Sequence, residues 1–283
     1  MPQQLSLDQW LAEGQRQLAH LSEGRLEARV LLCHLLAISH STLIAHGDRL
    51  LPEAQADAYQ QRLTRRLAGE PLAYICGERE FWSLPLVVNQ HTLIPRADSE
   101  ALIECALALP LPPQARVVDL GTGSGALALA LAHERPQWQL WACDRSAEAL
   151  AVARANGQRL ALHNITYCQG DWFAALADEK GDFDLLLSNP PYLAKGDPHL
   201  QQGDLRFEPP QALVAADDGL RDLQLLISGA RKWLKPCGYL LLEHGATQGP
   251  AVSALMAKHD FAHSAVMDLS GHWRATLGTL PGC

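Results

Sequence analysis

"VVDLGTGSGALALALA", residues 117–132, decides the fold. A β-branched run ends in a glycine turn, and an Ala- and Leu-rich helix follows. Gly121, Gly123 and Gly125 let the backbone turn tightly and approach a ligand closely, which a Cβ would block. The helix start behind them offers unpaired N–H groups. From about residue 96 onward the same alternation continues. Strands are expected at 116–120, 139–144, 165–170, 183–189 and 238–244, with helices such as 125–133 and 146–156 between them. "AVMDLSGHWRATLGTL" offers two more strands around Ser270 and Gly271. Strands alternating with helices imply a mainly parallel sheet covered on both faces.

Ahead of this region, residues 1 to about 75 read as helices. Ser6 and Gln9 fit a capping box, and Leu7, Trp10, Leu11 and Leu18 give a helical apolar face. Residues 25–37 form a second helix, and "SHSTLIAH" a short third. Pro52 stands at a plausible first position of a fourth, which ends at Gly69. Residues 72–95 change character, with β-branched and aromatic residues around Asn89-Gln90 in the pattern of a hairpin.

The chain has 283 residues, 48% of them hydrophobic, enough for a core without metal or disulfides. Its seven cysteines stand singly, which predicts reduced thiols and a cytoplasmic protein. No signal peptide and no apolar run of membrane-spanning length is read. The net charge is −8 with no basic stripe, so direct binding of bare nucleic acid is not expected, and neither is a membrane. No His or Cys spacing suggests a metal site. Ser124 lacks the flanking glycines of a nucleophile elbow, and Glu243 and His244, closing a strand, read as structural.

The glycine turn alone leaves two readings open. Gly121, Gly123 and Ala126 satisfy a dinucleotide fingerprint, and Asp144, closing the next strand, is placed to accept both hydroxyls of a ribose. Asp119, just before the turn, would repel a pyrophosphate but suits a cationic ligand. That favours S-adenosylmethionine, and the "DxGxGxG" pattern also resembles motif I of the methyltransferases. "GDW" (170–172) adds Asp171 as a partner for an adenine amine and Trp172 as a cover for its face.

"LLLSNPPYLA", residues 185–194, ends a buried strand with an amide, two prolines and an aromatic ring. A free Asn at a strand's carboxyl end lies where ligands bind in open α/β sheets. Pro190 and Pro191 fix φ and remove two donors, leaving carbonyl acceptors beside Asn189 Oδ1. With Tyr192 as an aromatic wall, this makes a pocket for a planar –NH2 group. Acceptors on its two hydrogens raise electron density on nitrogen and aim it at a methyl donor.

The pairing of "NPPY" with "DLGTGSG" resembles the methyltransferases of planar nitrogens. Residues 80–100, 197–220 and 240–249 resemble the HemK-type protein-(glutamine-N5) methyltransferases of class I peptide chain release factors, and the likeness covers nearly the whole chain. The resemblance implies a Rossmann-like, S-adenosylmethionine-dependent methyltransferase sheet with a small N-terminal helical bundle. It implies a helical substrate-docking domain at 1–75, a β-hairpin linker at 76–95 and a catalytic domain at 96–283. Gly121, Thr122, Gly123, Ser124, Gly125, Asp144, Asp171 and Trp172 would hold the cofactor together with Asn189. Asn189, Pro190, Pro191 and Tyr192 would hold the glutamine of a Gly-Gly-Gln motif, whose methylation supports translation termination. "LIPRADSE" resembles the family's "LIPRPxTE", with Ala97 for proline and Ser99 for threonine. Three other readings compete: a ribosomal-protein substrate, adenine N6 methylation, and a nucleoside-binding regulator without catalysis. The stretch 197–210 favours the release-factor branch. Adenine methylation would bring a basic, aromatic-studded domain for base flipping, and an intact NPPY serves no purpose without catalysis.

Overall fold

The computed structural model describes residues 4–282. The chain forms two units, one running to Glu78 and including 201–207, the other holding 79–200 and everything from Glu208 on.

The first unit is helical: α1 Leu7–Gln17, α2 Gly24–Leu36, α3 His40–Ala45, α4 Glu53–Leu67 and α5 Leu72–Cys76. Ser6 and Gln9 cap each other reciprocally at α1, as their spacing predicts. Pro52 is the N-cap of α4, one position before the expected site. Its extended ψ of 144° leads the chain into the helix from outside the first turn. The apolar faces close over Leu7, Leu18, Leu31, Leu32, Tyr59 and Leu63. Tyr59 donates its hydroxyl to Ala28 O at 2.9 Å. A Cβ at Gly14 would fall 2.1 Å from that hydroxyl, so only glycine fits there. Arg66 holds Glu27 bidentately at 2.8 and 3.0 Å. Asp204, on the 201–207 segment, stands 3.8 Å from Arg66.

β1 Glu78–Phe81 and β2 Leu84–Val87 form a two-stranded sheet. Its turn is Trp82-Ser83, both at positive φ (52° and 58°), and not Asn89-Gln90 as the sequence suggests. Two residues at positive φ match the twist of a tight hairpin. The turn escapes notice because Trp-Ser is not a turn pair by type. Asn89 closes a separate turn, its carbonyl accepting from Thr92 N.

The second unit is built on a seven-stranded sheet. Its strands are β3 Arg116–Leu120, β4 Gln139–Asp144, β5 Ile165–Gln169, β6 Phe183–Ser188, β9 Leu234–Glu243, β10 Ala262–Met267 and β11 Trp273–Thr279, while β7 Leu193–Ala194 and β8 Val214–Ala215 pair separately. The order is β10-β11-β9-β6-β3-β4-β5. Neighbours from β9 to β5 are parallel, and β11 runs antiparallel to β9 and β10. The helices are α6 Glu100–Ala108, α7 Ala126–Glu134, α8 Ala147–Arg159, α9 Arg221–Ala230 and α10 Gly249–Lys258. Side chains alternate between faces along a strand. Val117, Leu185, Leu187 and Leu241 join one apolar layer, while Val118, Leu120, Leu186, Leu240 and Leu242 join the other. Both layers exclude water, which is why these strands read as continuous apolar runs.

Cys33, Cys76, Cys105, Cys143 and Cys168 are free. Cys237 is disulfide-bonded, so the expectation of reduced thiols fails at that position. Cys283 lies outside the described residues. Among the described residues, no helix is long and apolar enough to cross a membrane.

Candidate functional site

Strand register builds the site. Asp119 pairs with Leu187, so Gly121 and Asn189, two residues further along each strand, emerge side by side. Leu120 pairs with Cys143 and Asp144 with Gln169, which adds Asp144 and then Gly170 and Asp171 on one flank. Ser188 pairs with Leu242, which adds Glu243 on the other. The chain leaves β3 toward β4 on one side, while β6 lies on the other. This is the topological switch at which open α/β sheets form a crevice. A cleft of about 1140 Å³, counted to its open mouth, occupies that place.

The glycine turn borders the cleft. Gly121, Gly123 and Gly125 have φ of 79°, 56° and 87°. Gly121 N and Thr122 N both donate to Cys143 O at 2.8 Å. Gly123 N donates to Asp144 Oδ2 and Ser146 N to Asp144 Oδ1, each at 2.9 Å. These bonds hold the Asp144 carboxylate at the cleft wall. A Cβ at Gly123 would meet nothing within 4 Å, so that point of the turn faces open space. A Cβ at Gly121 would come 3.2 Å from the Trp172 ring, which lies over the turn. Asp119 is fully buried, with Oδ2 accepting from Thr122 Oγ1 at 2.6 Å and Oδ1 without a partner. Burial pushes its carboxyl up to about 7, against the pull of the Thr122 hydroxyl.

Gly121, Thr122, Gly123, Ser124, Asp144, Asp171, Trp172, Asn189 and Pro191 all border this one cleft. Gly125, Pro190 and Tyr192 do not. Gly125 caps α7 and has Leu129 and Ala153 close behind it. Pro190 is buried. Tyr192, expected as an aromatic wall, turns its ring into the apolar layer below and points its hydroxyl at Glu243 Oε1, 3.5 Å away. The chain has already turned at the two prolines, so the ring at 192 faces the core. Asn189 donates from Nδ2 to Ser99 Oγ at 3.2 Å.

Several residues of the site are not among those the sequence assigns to it. Ser99 is buried and lines the cleft with Leu93, Pro95 and Arg96. Arg96 pairs with the buried Glu208, whose Oε2 also accepts from Ile94 N at 3.2 Å. This joins the 94–96 segment to the loop carrying Pro209, Gln211 and Ala212 along the cleft. Asn156 on α8, fully buried, accepts from Val87 N at 2.7 Å and donates to Ser124 O at 3.0 Å, tying the glycine turn to the strand ahead of that wall. Glu243 is buried as well, and burial pushes its carboxyl up to about 7 against the Ser99 hydroxyl and the Arg274 charge. The missed signal is an acid closing an apolar strand: it is read at Asp144 and set aside at Glu243.

Residues 9–77 match the PrmC N-terminal domain, and residues 112–276 a methyltransferase domain. The release factor glutamine methyltransferase of Shewanella oneidensis is 46% identical, over 94% of this chain and 93% of its own. That of Escherichia coli K12 is 46% identical, over 95% and 97%. The chain belongs to the release factor glutamine methyltransferase family. Among solved structures, a methyltransferase from Pyrococcus furiosus superposes with a TM-score of 0.54 at 18% identity, covering 79% of this chain and all of that one. The hMettl16 catalytic domain gives 0.56 at 14% identity, covering 88% and 90%. At such identities these two show the fold, a Rossmann-like methyltransferase sheet.

The cofactor of this methyltransferase is S-adenosylmethionine. The residues present fit it. The turn is open where a Cβ at Gly123 would intrude, and Asp119 Oδ1 is a buried acceptor without a partner, suited to a positive ligand.

Proposed function

We propose that this enzyme methylates the side-chain amide nitrogen (N5) of the glutamine in the Gly-Gly-Gln motif of class I release factors, a cytoplasmic modification that supports translation termination. The helical unit up to about residue 75 serves as its substrate-docking module. Gly121 to Ser124, Asp144, Asp171 and Trp172 would hold the cofactor, Asp144 as acceptor for the ribose hydroxyls and Trp172 as an aromatic neighbour for the adenine, while Gly125 shapes the turn from behind. When bound, S-adenosylmethionine would supply an electrophilic methyl carbon, its sulfonium leaving as a neutral thioether while the amide nitrogen gives up one proton to solvent.

Asn189 Oδ1 and the Pro190 carbonyl accept from the two amide hydrogens. An amide nitrogen is a weak nucleophile because its lone pair is delocalised. Acceptors on both hydrogens stabilise the positive charge that develops there, and they orient the nitrogen before attack. The two prolines keep competing donors away from those oxygens. The observation that supports this reading is the register that sets Asn189 beside the glycine turn on one cleft.

Transfer of labelled methyl to a purified release factor, and to its Gln→Ala variant in the Gly-Gly-Gln motif, tests the proposal. Label on the first and none on the second is expected. Equal labelling of both rejects the target.

A further inference from the structure

We propose that Ser99 and Glu243 are positioning residues that fix which end of the Asn189 side-chain amide faces the cleft. The inference rests on the role given to Asn189 above. A side-chain amide has an acceptor end and a donor end of nearly equal shape. Only the acceptor end can take a hydrogen from a substrate –NH2, so something must break the symmetry.

The neighbours of Asn189 do so. Its Nδ2 lies 3.2 Å from Ser99 Oγ, and Ser99 is 4% exposed. A hydroxyl has one proton and can donate it only once. The register that sets Leu242 beside Ser188 brings Glu243, 1% exposed, to the same point. In its ionised form a carboxylate only accepts. Its Oε1 accepts from the Tyr192 hydroxyl at 3.5 Å, and its Oε2 makes no hydrogen bond. That unmatched buried oxygen is the acceptor to which the Ser99 proton can turn. With the Ser99 proton drawn toward Glu243, Ser99 Oγ is left as an acceptor. It then takes Nδ2 of Asn189, and Oδ1 remains for the cleft. Two residues of the NPPY stretch thus converge on one buried acid, Tyr192 directly and Asn189 through Ser99. Without that acid, the Ser99 proton is free to swing to Asn189 Oδ1. The amide then turns over, and a donor meets the substrate's N–H.

The experiment compares S99A, S99T, E243Q and the double variant S99A/E243Q with wild type on a release factor. It records kcat, KM, S-adenosylmethionine affinity and melting temperature. S99A and E243Q are each expected to lower kcat by at least about tenfold, the loss of roughly one charge-assisted hydrogen bond. Cofactor affinity and melting temperature stay near wild type. S99T keeps the hydroxyl and restores kcat. The double variant is no slower than the slower single one, because both act through one chain of bonds. Wild-type kcat in S99A or in E243Q overturns the inference, and so does a double variant that multiplies the two losses. If E243Q does not fold, S99A against S99T decides alone. Absence of label on the release-factor glutamine with wild type itself defeats the functional reading instead, so the two failures are distinguishable.

Discussion

Asp119 joins electrostatics to ligand choice within one side chain. Fully buried, with one oxygen unmatched, its carboxyl holds a proton up to about pH 7. Arrival of a positively charged ligand favours the ionised form. S-adenosylmethionine affinity is therefore expected to rise between about pH 6 and about pH 8, with a proton released on binding. Calorimetry at pH 7 in two buffers of different ionisation enthalpy checks this, and identical apparent enthalpies would contradict it. Asn189→Ala is expected to cut kcat by about a hundredfold or more while cofactor affinity survives, since the lost acceptor acts on the developing charge. Asp144→Ala is expected to do the reverse, weakening the cofactor by roughly ten- to a hundredfold for the loss of charged hydrogen bonds. Unchanged affinity in that variant would remove the ribose assignment.

At the scale of elements, the glycine turn invites a direct test. Gly123 has φ of 56° with open space where a Cβ would project. Gly123→Ala is expected to cost about 1 kcal/mol of stability for the left-handed backbone, and to weaken cofactor binding by filling the space. Denaturant unfolding and calorimetry separate the two effects. The same turn explains why so much is legible in the sequence. Parallel strands such as Arg116–Leu120 and Gln139–Asp144 are buried on both faces, so they appear as apolar runs stopped by Gly or Asp. Once two strand ends carry "GTGSG" and "NPPY", their meeting at one cleft follows from the rule for open sheets. What stays hidden depends on tertiary pairing. Ser99 and Asn189 are 90 residues apart, and nothing local marks a serine as the partner of that amide. Tyr192 is misread because an aromatic after two prolines looks like a wall, whereas backbone direction decides that it faces the core. The Trp82-Ser83 turn is missed because its residue types do not announce positive φ.

For the whole molecule, two buried carboxyls with raised pKa values set the direction of pH dependence. Asp119 moves from 3.8 to about 7 and Glu243 from 4.5 to about 7. In each case the folded chain binds the proton more tightly than the unfolded one. Their stabilising contribution is thus greatest below the unfolded values and is lost as pH rises through about 7, by at most about 4 kcal/mol per group. Glu13, held down to about 2 by Arg16, works in the opposite direction, but it lies on an exposed helix face where solvent screens it. Urea unfolding without cofactor is expected to give lower stability at pH 8 than at pH 5.5, and Asp119→Asn should flatten that difference. A hundredfold excess of cofactor over its Kd should return about 2.7 kcal/mol at the higher pH.

The seven residues 201–207 belong to the helical unit although their flanks on both sides belong to the other. The two units are therefore interleaved in the sequence: cutting the peptide once near Glu78 does not yield a complete helical body, because one of its pieces travels with the remainder. A protein shortened to begin at residue 79 would carry an orphaned loop there, deprived of the Arg66 that faces Asp204. Trypsin should nick such a truncated form at Arg206 well before it attacks the sheet, and spare that bond in the full-length chain.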